Sequence, residues 1–158
     1  MKKTVLICFG KLKTPGLEDA VGEFTKRLSG YTKFSCIEMK STQSPEKDES
    51  MIVDLLSSQS FKNNYARNPI IWALDETGKS MKTTQWADEF SEIQDRGSGE
   101  LVFILGGSYG LSEKILKMAG KLVSFGPQTL SHELARLVLV EQLYRALSYS
   151  AGHPYHHE

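Results

Sequence analysis

Short, nearly unbroken apolar runs punctuate the chain at residues 5–9, 70–74 and 101–105. Runs of this length with no polar alternation predict strands buried on both faces, as in a parallel sheet covered by helices. Weaker strand patterns occupy residues 33–39 and 121–125. Between them the apolar spacing turns helical. Residues 17–28 set Val21, Phe24 and Leu28 on one face, residues 51–61 carry Ile52, Leu55 and Leu56, and residues 85–93 carry Trp86, Phe90 and Ile93. Thr83 or Thr84 is the expected cap of the last of these, and Gly97 its stop. Strand and helix alternate, which predicts an α/β architecture with a mostly parallel sheet. The polar, turn-rich stretch 41–47 and the glycine-rich stretch 106–110 are expected loops. With no repeat and no linker in the pattern, residues 1–158 are expected to form a single domain.

The final helical pattern, residues 131–149, is broader. Leu134, Leu137 and Val138 make one apolar face, while Leu139, Val140, Leu143 and Leu147 lie on others. A helix covering one core needs a narrower stripe. The excess width predicts a second buried face, which a symmetric homodimer supplies most commonly. Glu141 and Arg145, four residues apart, can form a surface ion pair. Arg136 is available to hold a carboxylate or phosphate.

Charge narrows the functional classes. Lys plus Arg and Asp plus Glu each total 19 in 158 residues, so the formal net charge is zero. That excludes a protein gripping nucleic acid by bulk charge. A local basic face remains open, because Lys2, Lys3, Lys11, Lys13, Lys26, Arg27 and Lys33 all fall in the first fifth; a mixed solvated surface with Glu18, Asp19 and Glu23 is the plainer alternative. Cys8 and Cys36, each inside a strand-like run, are expected to be small buried thiols of a reducing compartment, with no metal-ligand spacing. The apolar stretch after Lys3 is too short for a signal peptide, and no run is long enough to span a bilayer. A cytoplasmic protein with no membrane partner is expected.

Three stretches carry candidate chemistry. The glycine loop 106–110 follows the strongest strand, where glycines let backbone amides approach a ligand beyond the carboxyl ends of a sheet. Its spacing matches neither the dinucleotide nor the phosphate-loop fingerprint, and an unliganded tight turn gives the same pattern. Ser112 and Glu113 then open a helix. The stretch Phe125-Gly126-Pro127-Gln128-Thr129-Leu130-Ser131-His132 ends a strand and lets Ser131 cap the last helix; a plain connection accounts for it equally well. The tail Ala151-Gly152-His153-Pro154-Tyr155-His156-His157-Glu158 is dense in aromatic and imidazole groups, able to stack on a base or exchange a proton near neutral pH. No Cys cluster supports a metal site there.

Taken in order, these pieces resemble the ribosomal RNA large subunit methyltransferase H family of the SPOUT superfamily. The matching stretches are residues 5–13, Leu74-Asp75-Glu76-Thr77-Gly78-Lys79, residues 104–111, Thr129-Leu130-Ser131-His132, Arg136, residues 141–146 and His153-Pro154-Tyr155-His156. The resemblance implies a SPOUT-type parallel sheet flanked by helices, with a C-terminal trefoil knot. It implies S-adenosylmethionine as cofactor, lined by Leu74 and Gly107 and by the loop Gly126, Pro127, Gln128, Thr129, Leu130 and Ser131. It implies N3-methylation of a pseudouridine in helix 69 of 23S ribosomal RNA, on assembled ribosomes, by a homodimer whose second subunit helps place the RNA. By position, Tyr155 is expected to place the base, His156 to handle the proton, and Arg145 to anchor the tail or a phosphate. Two positions depart from the family pattern: His157 stands where Arg or Lys is frequent, and Ser131 where Pro is. The alternatives are a SPOUT enzyme acting on transfer RNA, which methyl transfer to transfer RNA would reveal, and a non-catalytic nucleotide-binding or ribosome-associated module, which would bind cofactor without transferring methyl.

Overall fold

The computed structural model describes residues 3–95, 99–153 and 155. Five parallel strands form one sheet: β1 (Lys3–Phe9), β2 (Lys33–Met39), β3 (Pro69–Ser80), β4 (Glu100–Leu105) and β5 (Lys121–Ser124), in the order β2-β1-β4-β3-β5. The three unbroken apolar runs are β1, β4 and β3, the inner strands. Burial on both faces is why they read as unbroken. Alternate residues serve opposite cores. Leu6, Cys8, Trp72, Phe103 and Leu105 face a core completed by α1 (Leu17–Leu28), α4 (Thr83–Asp95) and α6 (His132–Ser150). Val5, Ile7, Phe9, Val102 and Ile104 face α2 (Pro45–Ser57), α3 (Gln59–Asn64) and α5 (Glu113–Met118).

Several elements differ from the sequence expectation. The helical stretch 51–61 is two helices that meet at Ser58, which takes extended backbone; its hydroxyl accepts the Phe61 N–H and caps α3. The expected loop 41–47 already holds the start of α2, with Ser44 as cap and Pro45 in the first turn, where a missing N–H costs nothing. Neither Thr83 nor Thr84 caps α4. The Gln85 side chain reaches back to accept the Lys82 N–H, and Thr83 contacts Gln142 instead. Gly97, the expected stop of α4, lies outside the described residues.

β3 runs six residues beyond its apolar stretch. Val123 of β5 pairs with both Leu74 and Lys79, so residues 75–78 bow out as a bulge between two stretches of ladder. Gly78 makes this possible, because a Cβ there would lie 2.6 Å from the Val123 backbone.

α6 also departs from its expected role. Most of its wide apolar surface is covered within the chain, since α1 and α4 both pack against it above the sheet, but Leu134 stays exposed and Leu137 and Val138 only partly buried. Leu139, Val140 and Leu143 are fully buried in the single chain. Most of the stripe's width is thus used within the chain, and the face of Leu134, Leu137 and Val138 is the part left uncovered. Among the described residues no helix is long and apolar enough to cross a membrane.

Candidate functional site

A cleft of about 770 Å³ opens at the carboxyl ends of β3, β4 and β5. Its position is the one where open α/β sheets take ligands, and its volume is that of a small-molecule site. A second cavity, about 30 Å³ beside Thr4 and Thr32, has room for little more than one water. Three segments wall the large cleft. Leu74, Asp75 and Glu76 come from the β3 bulge, residues 105–111 from the glycine loop, and Val123 onward from the loop leading into α6.

Each wall is fixed locally. Gly106 is buried, and a Cβ on it would meet the Gly110 backbone at 2.6 Å, so only glycine closes this loop; Gly107 and Gly110 complete it with a backbone bridge. Ser112 caps α5 behind the loop and donates to Glu49 at 2.6 Å, which also pairs with Lys114 and lies below the usual carboxylate range because of those two contacts. On the opposite wall Gly126 takes φ 125°, outside the range of most side chains, and Ser124 accepts its N–H. The Thr129 hydroxyl donates to Glu76 at 3.2 Å, joining the bulge to that loop. Ser131 caps α6 through the Leu134 N–H, as its sequence position suggests.

Leu74, Gly107, Gly126, Gln128, Thr129, Leu130 and Ser131 all border the cleft, whereas Pro127 belongs to the same loop but does not line it. The cleft also takes in residues that the sequence pattern did not single out as ligand contacts: Asp75, Glu76, Tyr109 and His132. His132 was legible as the end of the Gly-Pro stretch but not as a residue of the cleft.

The N-terminus of α6 is held against the loop that follows β1. Glu133 accepts the N–H groups of Lys13 and Thr14 at 2.7 and 2.9 Å, and these bonds hold its carboxyl below the ordinary range. Arg136, 1% exposed, donates to Glu38 at 2.5 Å and to the Gly10 carbonyl at 2.7 Å. It is thus committed to the fold rather than free to hold a ligand phosphate.

Arg145 and Tyr155 lie elsewhere. They do not border the cleft, and 13 residues of helix separate His132 from Arg145, about 20 Å at 1.5 Å per residue. There the Arg145 guanidinium pairs with Glu141 at 2.5 Å and lies 4.8 Å over the Tyr155 ring. Tyr155 packs edge-on against Tyr144 at 4.7 Å, and its hydroxyl reaches Glu141 at 3.5 Å. Burial, then the Glu141 charge, pushes the Tyr155 hydroxyl above its ordinary pKa. His156 lies outside the described residues.

Comparisons with known proteins agree with this architecture. A family described as "predicted SPOUT methyltransferase" matches residues 1–156. Among solved structures, a probable methylase family protein from Haemophilus influenzae Rd KW20 superposes with a TM-score of 0.56 at 10% identity, covering 99% of this chain and 71% of that one. A probable methyltransferase from Bordetella pertussis Tohama I gives 0.55 at 15% identity, covering 92% and 96%. The fold is that of a SPOUT methyltransferase. Among curated proteins, the ribosomal RNA large subunit methyltransferase H of Streptococcus thermophilus (strain ATCC BAA-491 / LMD-9) is 41% identical over 98% of this chain and 99% of its own length. That of Streptococcus equi subsp. zooepidemicus (strain MGCS10565) is 37% identical with the same coverage. The chain belongs to the ribosomal RNA large subunit methyltransferase H family.

Proposed function

We propose that this chain transfers a methyl group from S-adenosylmethionine to N3 of a pseudouridine in helix 69 of 23S ribosomal RNA, in the assembled ribosome of the cytoplasm, as a homodimer. The observation that carries this reading is the end-to-end match to relatives of that name, with the three segments expected to hold the cofactor meeting at one cleft.

The cleft suits the cofactor. Leu74, Leu105, Val123 and Leu130 offer apolar walls for an adenine, and the glycine backbones allow close approach. Asp75 and Glu76 at the rim favour a cationic ligand over a neutral one. When bound, the cofactor supplies an electrophilic methyl, so the protein's task is in-line placement rather than covalent activation. Leu74, Gly107, Gly126, Pro127, Gln128, Thr129, Leu130 and Ser131 form the holding set. The trefoil threading expected of the family belongs to the same region, and the close passage of Gly78 against Val123 with the Glu76–Thr129 bond supports it.

Tyr155 places the target base, His156 takes the N3 proton, and Arg145 anchors the tail. The distance along α6 between this group and the cleft supports a dimer in which the tail of one subunit serves the cleft of the other. Leu134, exposed on α6, offers apolar surface to such a contact.

The test is incubation with methyl-labelled cofactor and ribosomes lacking the modification, followed by mapping of the label. Label at N3 of a helix 69 pseudouridine is expected. Label on transfer RNA instead, or cofactor binding with no transfer, would overturn the assignment.

A further inference from the structure

The methyl-transfer chemistry leaves both cysteines unused, and the fold brings them together. In the parallel register of β1 and β2, Leu6 aligns with Cys36 and Cys8 with Glu38. Aligned residues and their second neighbours share a sheet face, so Cys8 and Cys36 are diagonal neighbours on the face covered by α6. Their sulfurs lie 3.6 Å apart. Cys8 is 1% exposed, whereas Cys36 is exposed. The expectation of two buried thiols thus fails at Cys36, because β2 is the edge strand and has a neighbour on one side only.

We propose that Cys36 and Cys8 form a peroxide-oxidisable dithiol, a modification site in which Cys36 reacts first and Cys8 closes a disulfide. Access and charge assign the order. Peroxide reaches Cys36 from solvent, and the reacting species is the thiolate. Contact with the Cys8 thiol, and then the Arg136 guanidinium, hold Cys36 below the usual thiol range, while the same contact with Cys36 and burial push Cys8 up. The Cys36 thiolate attacks the peroxide oxygen, the O–O bond breaks, Cys36 becomes a sulfenic acid, and the departing hydroxide takes up the proton that Cys36 released on ionising and leaves as one water. The Cys8 sulfur then attacks the Cys36 sulfur. The S–S bond forms, the S–O bond breaks, and hydroxide leaves with the Cys8 proton as a second water. Two thiols lose two electrons and hydrogen peroxide gains them. The sulfurs must approach from 3.6 Å to a bonded distance of about 2.05 Å, a shift that an edge strand bonded on one side can follow.

The reduced, full-length protein is treated with hydrogen peroxide, quenched in acid, denatured and alkylated, and its mass is measured with and without later dithiothreitol. An intramolecular disulfide is expected: a chain lighter by two hydrogens, with neither cysteine alkylated, monomeric on a non-reducing gel and fully restored by dithiothreitol. In Cys8→Ser, dimedone should trap a sulfenic acid on Cys36. In Cys36→Ser, Cys8 should stay alkylatable, with thiol loss at least about tenfold slower than in the parent. Unreacted thiols in the parent, sulfinic acid on Cys36 without disulfide, a disulfide between chains, or equal thiol loss in Cys36→Ser would each overturn the proposal. Because the parent protein carries the primary measurement, misfolding of a variant does not decide it.

Discussion

At the scale of single residues, two adjacent glycines separate backbone necessity from ligand contact. A Cβ at Gly106 runs into the Gly110 backbone at 2.6 Å, whereas one at Gly107 meets the Phe9 Cβ at 3.4 Å and the Ser41 hydroxyl at 3.5 Å, ordinary contacts. Gly106→Ala is therefore expected to open the loop and weaken cofactor binding by about tenfold or more, about 1.4 kcal/mol. Gly107→Ala is expected to stay within about threefold, well under that figure. Calorimetric titration with S-adenosylmethionine checks both, and the reverse order would place the constraint at Gly107. A second residue-scale consequence concerns Glu133. Its carboxyl lies below its ordinary value in the folded state, so its contribution to stability is complete above the unfolded carboxylate pKa, near about 4.3, and is lost as pH falls through the lower folded value. Glu133→Gln should unfold at lower urea than the parent at pH 7, and the gap should narrow below about pH 4. A gap that is unchanged at acid pH would mean that the carboxylate charge is not what holds the 13–14 loop. The sequence displayed both glycines and the helix-start glutamate. It could not display the contact partners, since Glu133 and Lys13 lie 120 residues apart.

At the scale of elements, apolar runs legible as strands are those whose side chains do the holding. β1, β4 and the first half of β3 are of that kind. The second half of β3, Asp75-Glu76-Thr77-Gly78-Lys79-Ser80, is polar, because backbone pairing with β5 and the close approach at Gly78 hold it instead. This segment supplies one wall of the cleft, so an important part of the site left no hydrophobic trace. The break between α2 and α3 was hidden for a related reason: Ser58 ends one helix and starts the next while the apolar spacing continues through Phe61. Ser58→Ala should cost about 1 kcal/mol through loss of that cap, measured by urea unfolding. α6 was legible as a helix, and most but not all of its apolar width reflects the flanking α1 and α4. Val140→Glu, a charge in a fully buried site, should unfold the chain outright. Leu134→Glu, on the exposed side, should leave the circular dichroism unchanged and weaken self-association, as read by sedimentation. If Leu134→Glu leaves an intact dimer, the exposed side of α6 is not its interface.

At the scale of the whole molecule, the two halves of the proposed machinery stand at opposite ends of one helix. If a dimer joins them, defects in the two halves should complement each other in trans. Gly106→Ala subunits mixed and re-equilibrated with Arg145→Ala subunits would form mixed dimers half the time. Each mixed dimer would keep one intact pairing of cleft and tail, restoring about a quarter of parental methyl transfer. Single-turnover rates on ribosomes measure this. No recovery above the sum of the separate variants would mean that cleft and tail work within one chain.

The strand order carries one more consequence. β4 lies between β1 and β3, so β1 gains its inner neighbour only when Leu101 pairs with Thr4, 97 residues later in the chain. Such separations slow folding, because loop closure must be met before the contacts that reward it. Until β4 is made, a growing chain presents the open side of a strand rich in valine, leucine and isoleucine, a surface prone to wrong pairings. The pins that seat α6, from Glu133 to Lys13 and Arg136 to Gly10, span still longer intervals. Competence to bind cofactor should thus appear in the slowest phase of refolding, and nascent chains ending before α6 should depend on chaperones to stay soluble.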